Sequence, residues 1–154
     1  MASTICEITE DERATAIGFF NYANSYWISA FELQKLQITS VTHPSAPVDF
    51  LYVHAIELFL KSYLRLTKTV QELKEIGHSF EDLKQHCAGL FANNNNELVE
   101  TLDMIAGHKI NMLSRYICTG ARNGYPGTER FQKLCTFLCN AIRSKMQEAG
   151  FPVR

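Results

Sequence analysis

His54, Glu57, Lys61 and Arg65 step along the segment LYVHAIELFLKSYLRL by +3, +4 and +4, and Lys68 continues the series by +3. On an α-helix, at about 100° per residue, these five side chains fall within roughly 80° of one another. Most of the remaining circumference is apolar: Leu51, Tyr52, Val53, Ile56, Leu58, Phe59, Leu60, Tyr63 and Leu64. A helix with these proportions is expected to pack on most sides, so Glu57 and Lys61 are partly desolvated and need partners. Cations oriented by a carboxylate are suited to holding a phosphate. The competing expectation is a solvated face continued by Arg65 and Lys68, where an i,i+4 pair is worth only a few tenths of a kcal/mol.

Other residues extend the chemical possibilities. His78 follows Gly77 and either joins a binding site or satisfies nearby carbonyls. His108, Asn111 and Arg115 follow one another by +3 and +4. A histidine base and a cation for the developing phosphorane charge are what metal-independent RNA cleavage by 2′-hydroxyl attack requires. Arg115 is also a candidate partner for Glu57 across two helices. Arg122, in the stretch TGARNGYPG, is expected to complete a small basic pocket with Arg115.

Cys135 and Cys139 at i,i+4, with adjacent His86 and Cys87, do not have the spacing of a zinc ribbon or finger and read as core residues. No nucleophile elbow, phosphate loop or dinucleotide fingerprint is present. No metal and no cofactor are expected.

The elements that position these residues must be helices. At 154 residues, 46% hydrophobic and 20% charged, the chain suits one globular domain. A formal net charge of −1 supplies no global field for general DNA binding, so any nucleic-acid contact is local. Five cysteines without a disulfide-framework spacing and the acidic start MASTICEITEDERA point to a reducing cytoplasm. The 51–60 segment is interrupted at His54 and Glu57, which argues against a membrane span.

Apolar spacing predicts a first helix over residues 14–36, with Ile17, Phe20, Ala23, Trp27 and Phe31 on one side. A second helix is expected from Pro47 to about residue 66, a short one over 69–76 closed by Gly77, and another over 79–90 capped by Ser79. Residues 97–118 read as a fifth helix weakened by Gly107, and a last one capped by Thr128 runs until Gly150 and Pro152. Residues 1–12 read as a loose segment. Strand alternation is absent, so the expected fold is all-α: a single-domain antiparallel bundle of five to six helices spanning residues 1–154. Phe19, Tyr22 and Tyr26 lie off the face set by Phe20 and Trp27, and this second aromatic face predicts a homodimer.

HAIELFLKSYL at 54–64, ELKEIGHSFEDL at 72–83 and LSRY at 113–116 together resemble the small helical HEPN domains. In that family an A-x-E-x-x-L-K helix precedes a G-H-x-[LF]-x-x-L helix junction. The resemblance covers most of the chain. It implies nucleotide or RNA binding beside a nucleotidyltransferase-type partner, and the family's homodimeric RNases act in toxin–antitoxin or defence systems. Those RNases use an arginine followed four to six residues later by a histidine, and no arginine here has one at that spacing. The expected function is therefore a non-catalytic nucleotide- or RNA-binding accessory protein that holds phosphate through Lys61, His78, Arg115 and Arg122, with Glu57 orienting the cations. The alternatives are a metal-independent RNase using His108 and Arg115, and a purely structural dimeric interaction protein.

Overall fold

A computed structural model describes residues 9–93, 96–108 and 126–153. Their regular structure is helical, with no strand among the described residues. The elements are α1 (Glu10–Arg13), α2 (Ala16–Leu33), α3 (Ala46–Leu64), α4 (Val70–Ile76), α5 (Phe80–His86), a 3-10 turn (Ala88–Phe91), α6 (Asn96–Gly107) and α7 (Thr128–Glu148).

Local sequence explains where the helices start. The Thr15 hydroxyl accepts from the Gly18 N–H at 3.0 Å and caps α2. Pro47 occupies the first turn of α3, where its missing N–H costs no intrahelical bond. Thr69 and Glu72 form a reciprocal capping box on α4, and the Ser79 hydroxyl accepts from the Asp82 N–H to start α5. Gly77, at φ +72°, ends α4 in a backbone conformation that costs glycine little.

α3 is the axis of the bundle. Tyr52, Ala55, Ile56, Phe59 and Leu60 are wholly buried along it. α2 packs antiparallel on one side: the Ser62 hydroxyl near the end of α3 donates to the Ala16 carbonyl at 2.8 Å, and the Tyr52 hydroxyl near its start donates to Gln34 Oε1 at 2.7 Å. Phe59 receives Phe20 and Trp27 edge-on, at centroid distances of 5.7 and 6.1 Å. α7 closes the opposite side, where Phe131 stacks on Tyr52 at 5.9 Å. α5 packs on α3 and α6, and α6 returns to α7. Each large side chain buried here contributes roughly 1.5–3 kcal/mol of transfer free energy.

Several boundaries differ from the sequence expectation. The helix expected over 79–90 ends at His86 and tightens into the 3-10 turn, while Cys87 between them is buried with Sγ 3.7 Å from the Leu60 carbonyl. Gly127, not Thr128, is the N-cap of α7, and Thr128 is its first helical residue. Residues 109–118 of the expected fifth helix lie outside the described residues. The loose segment expected through residue 12 gives way at Thr9, which exchanges hydrogen bonds with Glu12 to cap the single turn α1. No helix among the described residues is long and apolar enough to cross a membrane.

Candidate functional site

The polar stripe of α3 divides into three environments. At its centre Glu57 is only 5% exposed. One oxygen, Oε1, lies 2.8 Å from Lys61 Nζ and 2.6 Å from His78 Nδ1. Lys61 reaches it from one turn further along α3. His78 arrives from the α4–α5 junction, held between two anchors: Leu73 of α4 and Phe80 of α5 are buried, and Gly77 supplies the reversal between them.

The hydrogen-bonding roles follow from the acceptor. A carboxylate only accepts, so His78 Nδ1 carries the hydrogen, and in the neutral ring Nε2 is the basic nitrogen. Lys61 Nζ also lies 3.3 Å from His78 Nδ1. Both atoms are donors in this arrangement, so that approach is an electrostatic proximity rather than a hydrogen bond. Burial alone pushes the Glu57 carboxyl up. The hydrogen bond and charge of Lys61, then those of His78, outweigh it and hold the group below the usual carboxylate range. The Lys61 side chain is 11% exposed and the His78 side chain 65%, so the imidazole is the member that an incoming ligand meets first.

Arg65 has a different task. Its guanidinium donates to the carbonyls of Ala14, Lys68 and Asp11, each at 2.9 Å, and approaches Asp11 Oδ1 at 3.3 Å. The same Asp11 oxygen accepts from the Val70 N–H at 2.9 Å. Arg65 thus clamps α1 onto the α3–α4 junction, a structural role that its place in the stripe does not reveal. At the other end of the stripe, His54 takes the Tyr26 ring edge-on at 4.5 Å and stacks on Phe50 at 6.0 Å.

Of the five residues expected at the binding site, Glu57, Lys61 and His78 are brought together. Arg115 and Arg122 lie outside the described residues, as does Asn111. His108 is half-buried just beyond α6, and its N–H donates to the Met104 carbonyl at 3.1 Å. Its expected approach to Arg115 falls outside the described residues.

Cys87, Cys135 and Cys139 are core groups. Burial pushes the Cys87 thiol up to about 12, raises Cys135 well above its ordinary value, and raises Cys139 against the pull of Arg143. Cys87 is buried whereas His86 is exposed, so the two neighbours face different surroundings. No group of three or more His, Cys, Asp or Glu placed to hold a metal occurs among the described residues.

Sequence reading missed two polar arrangements: the Arg65 clamp, and Gln132 of α7, whose Oε1 accepts from Trp27 Nε1 at 2.7 Å. Both join residues more than 50 positions apart, which no local spacing signals. Comparison of the chain with family models, curated proteins and solved structures returned no match.

Proposed function

We propose that the protein is a HEPN-like accessory module that binds a nucleotide or RNA through phosphate, without catalysing its cleavage. The observation carrying this reading is the single Glu57 oxygen shared by Lys61 and His78. A buried carboxylate that fixes two nitrogen donors from separate elements preorganises the exposed imidazole at a definite place on the bundle. The Glu57 and Lys61 charges cancel, so phosphate is attracted by the His78 ring when Nε2 also carries a proton and donates, and by further cations, a role assigned here to Arg115 and Arg122.

The module acts in the cytoplasm as a homodimer, beside a nucleotidyltransferase-type partner in a toxin–antitoxin or defence setting. Ile28, Leu36 and Val41, large apolar side chains left exposed on α2 and the segment after it, support the dimer. Phe19 and Tyr26 instead pack against the core, and Tyr22 alone of the three aromatic residues projects freely, at 67% exposure.

Calorimetric titration with ribonucleoside 5′-diphosphates and a short single-stranded RNA tests the reading. Saturable binding weakened by His78→Ala supports it. Wild-type protein that binds neither at low salt contradicts it.

A further inference from the structure

An open groove of about 410 Å3 lies between α2 and α3, lined by Asn21, Tyr22, Ser25, Tyr26, Ser29 and Leu51, and Tyr26 of this lining touches His54 of the α3 stripe. Its volume lies in the lower part of the range of roughly 300–1,000 Å3 usual for small-molecule sites. The lining combines two tyrosine rings and a leucine with hydroxyl and amide groups, and it contains no charged side chain. Rings continue along the rim: Tyr26 and His54 meet in a T-shaped contact at 4.5 Å, and His54 stacks on Phe50. Such a surface suits a flat, uncharged ring with polar edges: faces stack on tyrosine, while Asn21, Ser25 and Ser29 supply donors and acceptors.

Position along α3 ties this groove to the Glu57 site. His54 stands at its border and precedes Glu57 by three residues and Lys61 by seven, all on one stripe. Seven residues of helix rise about 10 Å. That matches the reach of a nucleoside phosphate laid along the helix, its base at one end and its phosphates at the other.

Resting on the phosphate-binding reading above, we infer that the groove is the base subsite of that site, so that a ribonucleotide lies along α3 with its base on Tyr22 and Tyr26 and its phosphates toward Lys61 and His78. The recognised unit is a nucleobase with attached phosphate, free or within an RNA strand.

Calorimetry on full-length protein separates the two halves of the inference. The probes are inorganic pyrophosphate, each ribonucleoside 5′-diphosphate and a single-stranded tetraribonucleotide; the variants are Tyr22→Ala, Ser25→Trp and His78→Ala. Tyr22 and Ser25 are exposed, so neither change touches the core. At least one nucleoside diphosphate should bind more tightly than pyrophosphate. Loss of a stacking ring in Tyr22→Ala, and filling of the groove in Ser25→Trp, should each weaken that nucleotide about fivefold or more and leave pyrophosphate unchanged. His78→Ala should weaken both probes. Tighter binding of the tetranucleotide than of any mononucleotide, with the same sensitivity to Tyr22→Ala, supports the subsite and identifies a strand as its source. Pyrophosphate and nucleotides binding equally, with the groove variants silent, overturns the base subsite but leaves phosphate binding standing. Absence of binding by every probe overturns both. Sedimentation of the same variants guards against another occupant: a dimer dissociated by Tyr22→Ala, with nucleotide affinity intact, assigns the groove to a second copy and overturns the inference.

Discussion

His78 Nδ1 lies 2.6 Å from Glu57 Oε1, so the most exposed member of the site hangs from its most buried one. The carboxylate is kept ionised by Lys61 and His78 against the burial that opposes it. Stability and binding therefore meet at one oxygen, and variants around it can separate the two.

Lys61→Ala leaves the buried Glu57 carboxylate with His78 as its remaining partner at this oxygen among the described residues. Breaking a buried pair from one side usually costs 3–5 kcal/mol. The surviving His78 contact places the expected loss at about 2–3 kcal/mol. Urea unfolding of the variant checks this, and a loss below about 0.5 kcal/mol returns the stripe to the status of a solvated face.

Acid should destabilise the protein partly through the same group. A carboxyl held below its unfolded value contributes stability that is complete above about pH 4.3 and lost as pH falls through the folded value. Exposed Glu12 and Glu72 are lowered as well, through their caps, so the comparison must isolate Glu57. Denaturant midpoints for wild type and Glu57→Gln should converge as pH falls from about 5 to 3. Parallel curves across that window contradict the assignment.

Much of the fold is legible in the sequence because its signals are local. The apolar periodicity of α2, α3 and α7, the Thr69 and Ser79 caps and the Gly77 stop each act within a few residues, and the helices form where they predict. The Glu57–Lys61 pair is equally local. That His78 joins it follows only from α5 packing back onto α3, although the Gly-His junction marks the place. Arg65 shows the limit: on the stripe it is indistinguishable from Lys68, yet its partners Asp11 and Ala14 come from a segment with little hydrophobic pattern. The groove beside His54 is illegible for a related reason, since it arises from the crossing of two helices and not from either alone.

The Arg65 clamp makes its own prediction. Arg65→Ala removes four donor contacts to Ala14, Lys68 and Asp11 and should cost about 1–3 kcal/mol, whereas Lys68→Ala should stay within about 0.5 kcal/mol. Amide hydrogen exchange should show lost protection at Arg13 and Val70 in the first variant only. Unchanged exchange at both amides contradicts the clamp.

Cys87, Cys135 and Cys139 should be inert in the folded protein, because burial disfavours each thiolate. Iodoacetamide at pH 8 followed by peptide mapping should label them only after denaturation. Rapid native labelling of Cys135 contradicts the core packing of α7.

A concentration series in the analytical ultracentrifuge tests the homodimer, which is expected at tens of micromolar. Ile28→Asp together with Val41→Asp should shift the protein toward monomer without loss of helicity. A wild-type monomer at every concentration contradicts this part of the account.

The most direct test of phosphate binding at Glu57, Lys61 and His78 is calorimetric titration of wild type and His78→Ala with a ribonucleoside 5′-diphosphate at low salt. His78 is largely exposed, so its removal should leave the bundle folded, as circular dichroism can verify. Saturable wild-type binding is expected, with a loss of affinity of about tenfold in the variant, the scale of one charge-assisted hydrogen bond from the protonated ring. Equal affinity in the two folded proteins would contradict it.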